Sequence, residues 1–174
     1  WSAYFLKQAE PALNIAVLER EVVGYGASGR NAGFVMTLLH RSLKDLVRYA
    51  GPEEALPAHK AVARSIDENG EFCSANEVPC DYEKNGLLVV ATSEGQRRWV
   101  EADLEAAQTL GVEDVRFLSG DALREMVHSP IYLCGLMEDT CAFVNPAQLA
   151  WGIKRIIEAL GVEVYEETAV SQVR

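Results

Sequence analysis

A short apolar run, Leu13-Asn14-Ile15-Ala16-Val17-Leu18, ends on Glu19 and leads into a glycine-rich segment, Gly24-Tyr25-Gly26-Ala27-Ser28-Gly29-Arg30-Asn31-Ala32-Gly33. This pairing constrains the fold more than anything else in the chain. The run is too short for a helix and carries Ile and Val, so it predicts a buried parallel strand over 13–18. Four glycines in ten residues mark a backbone that turns sharply or lies close against something. Upstream, Tyr4, Phe5, Leu6 and Ala9 fit a short helix that stops before Pro11.

The rest of the chain alternates helical and extended signals. From Ser42 to about Asn76 the pattern is helical, with a break at Gly51-Pro52. Residues 86–91 read as a strand. Ser93 is placed to cap a helix that runs to Leu110 and stops at Gly111. Ser119 is placed to cap a short helix through Val127. Residues 131–137 and 142–144 read as two strands joined by Glu138-Asp139-Thr140. In Asn145-Pro146-Ala147-Gln148, Asn caps a helix, Pro takes its first position, and Gln reaches back as in a capping box. Leu149, Ile153, Ile156, Ile157 and Leu160 give that helix its apolar stripe, and Gly161 ends it. Residues 162–165 and 169–173 read as strands. The order predicts an α/β nucleotide-binding layer with a second region inserted into it.

Composition removes several alternatives. A chain of 174 residues makes one domain or two small ones. With 49% apolar residues it has the material for a core. Asp plus Glu number 26 against 16 Lys plus Arg, a net charge of −10, which argues against nucleic acid and against an electrostatic membrane anchor. No run approaches the ~20 apolar residues of a membrane span. Cys73, Cys80, Cys134 and Cys141 form no CxxC pair, and no neighbouring His completes a zinc pattern, so no metal is expected. They read as half-buried free thiols of a reducing compartment, which makes the expected location cytoplasmic; two disulfides are the alternative. Trp1 opens a stretch that reads as the middle of a helix, so the chain is expected to begin inside an element, and a signal peptide upstream stays open.

Glu19 stands where a dinucleotide-binding βαβ unit places a carboxylate that accepts two ribose hydroxyls. The bland reading is a solvated loop charge. Gly29 and Gly33 let the backbone approach a flat or phosphorylated ligand, Ser28 and Asn31 add side-chain donors, and Arg30 adds charge. The bland reading there is a surface loop that needs turns.

At this point the residues resemble a family. Leu18-Glu19-Arg20-Glu21 followed by Gly26-Ala27-Ser28-Gly29-Arg30-Asn31-Ala32-Gly33 looks like the FAD-dependent D-amino-acid-oxidase-like (DAO) superfamily, in its γ-glutamylputrescine oxidase and glycine oxidase-like branch. A second segment, from Ala142 through Asn145-Pro146-Ala147-Gln148 to Val170, is similar to the family's later signature. The resemblance implies a partial Rossmann-like FAD-binding layer with an inserted α+β substrate-domain portion. It assigns 1–80 to the layer and the helices after it, 81–141 to the substrate domain, and 142–174 to the return into the layer. It implies that Glu19 binds the adenosine ribose of FAD with Arg20 beside it. It also implies that Ala27, Ser28, Arg30, Asn31, Ala32, Gly33 and Phe34 line the pyrophosphate, ribityl and ring region. Val170 would meet the adenine through its edge-strand backbone. The family's first strand and GxGxxG turn are expected immediately before Trp1, and its C-terminal half after Arg174. The chain is therefore expected to be a fragment that alone neither holds FAD tightly nor turns over.

Other candidates carry less. His40 follows the glycine-rich segment and is read as a helix-end or packed histidine, and no catalytic residue is assigned. No GxSxG elbow surrounds Ser28 or Ser42, which argues against a hydrolase. Glu53-Glu54 and Glu166-Glu167 read as solvated charge, and Trp99 and Trp151 as packing. The expected activity is FAD-dependent oxidation of the C–N bond of a small amine or amino acid, with oxygen or an electron carrier as acceptor. The alternatives are a nicotinamide-dependent oxidoreductase and a non-catalytic interaction module on the same scaffold.

Overall fold

A computed structural model describes residues 1–39 and 42–173, so His40, Arg41 and Arg174 lie outside the described residues. The elements run α1 (Ser2–Ala9), β1 (Ala16–Leu18), α2 (Ala27–Arg30), β2 (Phe34–Val35), α3 (Leu43–Ala50), α4 (Pro52–Ala75) and β3 (Leu87–Ala91). There follow α5 (Glu94–Leu110), β4 (Val115–Ser119), α6 (Gly120–Met126), β5 (Cys134–Glu138), β6 (Ala142–Phe143), α7 (Pro146–Ala159) and β7 (Glu163–Tyr165). The chain divides into two compact units. The first is Trp1–Phe34, Glu71–Tyr82 and Phe143–Arg174; the second is Val35–Gly70 and Glu83–Ala142. This division differs from the expected segments, since 35–70 falls in the second unit.

In the first unit β1 pairs in parallel with β7, in the register Ala16↔Glu163, Val17↔Val164, Leu18↔Tyr165. Helices α1 and α7 cover one face of the pair. Ala3, Ile157 and Val162 are buried there, with Tyr4, Ile15, Val17, Ile153 and Val164 packed against them. The strand is parallel, as expected, but shorter than 13–18 and not buried: Ala16 is exposed and Leu18 is 50% exposed. Alternate residues of a strand point to opposite faces, and only the Val17 face has a helical cover.

A second expectation fails beside it, because 169–173 is not a strand. After β7 the Glu167 N–H donates to the Glu21 carbonyl and the Thr168 N–H to the Glu19 carbonyl, and Glu167 takes a left-handed φ of 51°. Among the described residues no strand pairs with 169–173, and a strand without a neighbour has no ladder to hold it.

The cap of α7 is half as expected. Asn145 Oδ1 accepts the Gln148 N–H at 3.2 Å and Pro146 opens the helix. Gln148 does not reach back, and its Oε1 is buried without a partner among the described residues.

In the second unit β3, β5 and β4 form an antiparallel sheet in that spatial order, with Val89↔Leu136 and Phe117↔Leu136 in register. Helix α5 lies on one face, where Ala91, Val100, Cys134 and Leu136 are buried with Val89, Leu104 and Val115. Helix α6 lies on the other, over Leu118, Leu123, Met137, Leu88 and Val90. Two expectations need correction. Strand β4 adds to the expected elements, because Val115-Arg116-Phe117-Leu118 is too short to show a period. Residues 131–137 and 142–144 are not partners: β5 sits between β3 and β4, whereas β6 pairs with β2. The Asp139 N–H donates to the Asp114 carbonyl, which ties the end of β5 to β4.

Local signals for the helices hold. Ser42, Ser93 and Ser119 accept the N–H groups of Asp45, Gln96 and Ala122 at 3.2, 3.3 and 3.3 Å. Gly111 closes α5 with a left-handed backbone, and Gly51 separates α3 from α4. All four cysteines are free, and they are buried rather than half-buried. Among the described residues no helix is long and apolar enough to cross a membrane.

Candidate functional site

All the residues expected to hold a cofactor fall in the first unit. Glu19 directly follows β1 and continues its ladder, its N–H donating to the Tyr165 carbonyl at 2.9 Å. Its Oε1 accepts the Glu21 N–H at 2.9 Å, which fixes the carboxylate over its own turn. Among the described residues the other oxygen accepts no hydrogen bond. Arg20 pairs with Glu21 at 3.3 Å, an exposed contact of small energetic weight.

The glycine-rich segment folds into one helical turn, α2, where its composition predicts only loop. Its close backbone approaches are to the protein itself. A Cβ on Gly29 would stand 2.1 Å from the Gly24 carbonyl oxygen, and one on Gly33 would stand 2.1 Å from the Val144 carbonyl oxygen. Gly33 also needs its φ of 82°, which few other residues adopt. The Asn31 amide donates to the carbonyls of Ala27 and Ser28 at 3.0 and 3.1 Å, while its Oδ1 accepts the Gly33 N–H at 2.8 Å. Asn31 thus holds the turn rather than offering a free donor. The Arg30 guanidinium lies over the Tyr25 ring at 4.0 Å. Ala27, Ser28, Ala32 and Phe34 are exposed, and Phe34 meets Phe143 edge to face at 5.8 Å.

Two residues read as bland turn out to position this segment. Glu166, expected as solvated charge, accepts the Val23 N–H at 2.8 Å and pairs with Lys154 at 2.8 Å. The Lys154 ammonium and the Val23 N–H hold its carboxyl below the usual range. Trp151, expected as packing, donates its indole N–H to the Val23 carbonyl at 2.9 Å. Nothing in sequence spacing announces this clamp, since its members are far apart along the chain. Val170 is 57% exposed and sits on no strand, so the edge-strand pairing expected of it is absent. His40 lies outside the described residues.

The second unit encloses a cavity of about 440 Å³, walled by Leu43, Leu46, Leu87, Val89, Trp99 and Leu136, with His59, Asp103 and Glu138 among its polar groups. Asp103 accepts the Lys44 N–H at 3.1 Å. Burial pushes the Glu138 carboxyl above its usual range, and the Thr37 hydroxyl and the nearby His59 pull it partway back. Next to it, burial pushes the Cys141 thiol up to about 11. His59, Asp114 and Glu138 each present a ligand-type atom within 4.8 Å of the others. No sequence motif singles out any of the three.

Similarity to known proteins gives this geometry a family. The chain is 29% identical over 173 residues to gamma-glutamylputrescine oxidoreductase of Escherichia coli K12, covering 97% of this chain and 39% of that protein. Glycine oxidase from Geobacillus kaustophilus shares the fold, with a TM-score of 0.74 at 20% identity over 99% of this chain and 45% of its own. L-alpha-glycerophosphate oxidase from Mycoplasma pneumoniae, solved with FAD bound, also shares it, with a TM-score of 0.73 at 17% identity over 98% of this chain and 42% of its own. The chain spans less than half the length of these relatives. The family model described as DAO, FAD dependent oxidoreductase, matches residues 1–174, and the chain belongs to that family.

Proposed function

We propose that the full-length protein oxidises the C–N bond of a small amine or amino acid with FAD, and that this chain supplies the adenosine end of the FAD site and part of the substrate domain. The observation that carries the reading is Glu19 at the end of a parallel strand, with one carboxylate oxygen fixed by the Glu21 N–H and the other uncommitted among the described residues. A carboxylate so oriented suits a pair of vicinal ribose hydroxyls. The names of the relatives, a gamma-glutamylputrescine oxidoreductase and a glycine oxidase, support an amine or amino-acid substrate. Family membership leaves the nicotinamide alternative without an observation in its favour.

FAD, when bound, supplies the two-electron acceptor that no side chain provides. Within this chain, Glu19 would hold the ribose and Arg20 would add positive charge beside it. Ala27, Ser28, Arg30, Asn31, Ala32, Gly33 and Phe34 would present the edge that meets the pyrophosphate, ribityl chain and ring. Val170 would meet the adenine through its backbone. Asn31 acts there by holding the turn, and the Glu166–Lys154 pair by anchoring Val23. The imine product would hydrolyse to an aldehyde or oxo acid plus ammonia or a smaller amine. Oxygen or an electron carrier is the proposed acceptor, and the cytoplasm the proposed location.

The test is the visible spectrum of the full-length protein, followed by release of the cofactor on denaturation. Two flavin bands and released FAD are expected. A colourless protein that takes up no added FAD sinks the reading and favours the interaction module. Glu19→Ala is expected to weaken FAD binding by about 1.5–3 kcal/mol, as for a lost hydrogen bond to a charged group. Unchanged affinity in a flavin titration removes Glu19 from the site.

A further inference from the structure

We propose that His59, Asp114 and Glu138 form a site for one divalent cation of the zinc class, built inside the second unit and using none of the predicted cofactor residues. The three ligand atoms already lie within 4.8 Å of one another. Zinc bound at about 2.0–2.2 Å to each would draw them to about 3–3.5 Å, a change that side-chain rotation supplies. One imidazole nitrogen and two carboxylates match zinc chemistry better than magnesium or calcium, which take oxygen ligands alone.

The backbone holds the ligands in place. Asp114 directly precedes β4 and Glu138 ends β5, and the sheet register sets Val115 opposite Glu138. The Asp139 N–H to Asp114 carbonyl bond, at 2.9 Å, closes that corner. His59 comes from α4. Each carboxylate has an outer hydroxyl partner: Thr37 donates to Glu138 and Thr140 donates to Asp114. Partners of this kind orient ligands in metal centres.

His59 supplies an independent observation. It is only 7% exposed, and a ring nitrogen lies within 4.8 Å of a carboxylate oxygen of both Asp114 and Glu138. A buried imidazole beside two carboxylates makes a mixed nitrogen and oxygen donor set that one cation can draw together. A divalent cation would satisfy the ring nitrogen and neutralise both acids at once. His59 and Glu138 also line the 440 Å³ cavity, which leaves room for water on the cation.

The experiment uses the full-length protein, stripped with a chelator and titrated calorimetrically with Zn²⁺. Co²⁺ serves as a second, coloured probe. One Zn²⁺ per chain is expected, with a rise in melting temperature. His59→Gln, Asp114→Asn and Glu138→Gln are each expected to weaken binding at least tenfold and to abolish the rise. Co²⁺ is expected to give the intense visible bands of a low-coordinate site containing nitrogen. Circular dichroism identifies any variant that fails to fold, and the wild-type titration and the Co²⁺ spectrum do not depend on the variants. Absence of stoichiometric binding by the wild type overturns the proposal. So does binding that all folded variants retain, and so does a pale Co²⁺ spectrum typical of loose oxygen ligation. FAD content is read separately, so loss of this site and loss of the oxidase reading are distinguishable.

Discussion

The two sheets of this protein solve the same problem differently. The β3–β5–β4 sheet has a helix on each face, and its central strand β5 is buried from Cys134 to Met137. Among the described residues the β1–β7 pair has helices on one face only, and Ala16 and Leu18 on the other are exposed. Parallel strands are ordinarily covered on both faces. The antiparallel sheet thus carries its own core, whereas the parallel pair depends on α1, α7 and a set of long-range ties. The residues predicted to hold the cofactor lie with the less covered pair.

Substitutions can break this contrast, and the largest effect is expected in the glycine-rich segment. Gly33→Ala would place a Cβ against the Val144 carbonyl in a left-handed backbone, and is expected to cost about 4 kcal/mol in denaturant unfolding. A loss under 1 kcal/mol would mean that the segment shifts freely. Leu123→Ala removes a side chain with 0% exposure and is expected to cost about 3 kcal/mol. Leu18→Ala, on the open face of β1, is expected to stay within about 0.5 kcal/mol. Equal losses at Leu123 and Leu18 would erase the difference between the two sheets.

Smaller effects sharpen the picture. Asn145→Ala removes the cap of α7 and is expected to cost about 1 kcal/mol. Glu166→Gln should lower the melting temperature modestly at neutral pH. The folded-state carboxyl of Glu166 titrates below its unfolded value. Its stabilising contribution is therefore full above the unfolded value of about 4.3 and fades as pH falls through the folded one. Wild type and Glu166→Gln should converge in acid, and a gap that persists at low pH would show that charge is not the cause.

Sequence reading succeeds where the signal is local. Ser42, Ser93, Ser119 and Asn145 each bond an N–H three residues on, so the cap and its target sit in one short segment. The Glu19 and glycine-rich motif is also legible, because a strand, an acid and a tight turn succeed one another directly. It fails where a partner is needed. Val115–Ser119 is a strand because β5 lies beside it, and 169–173 is not one because no described strand does. The glycines read correctly as sites of close approach, but it is the Gly24 and Val144 backbone that approaches Gly29 and Gly33.

Helix ends, the succession of strand, acid and glycine-rich turn, and family membership are therefore properties of the sequence, written in contiguous residues and hydrogen bonds that span a few positions. The neighbours of β5, the Glu166 anchor on Val23 and the meeting of His59, Asp114 and Glu138 exist only in the folded chain. Each joins residues far apart in sequence, and the geometry that unites them is set by sheet register and helix packing, which no local pattern encodes.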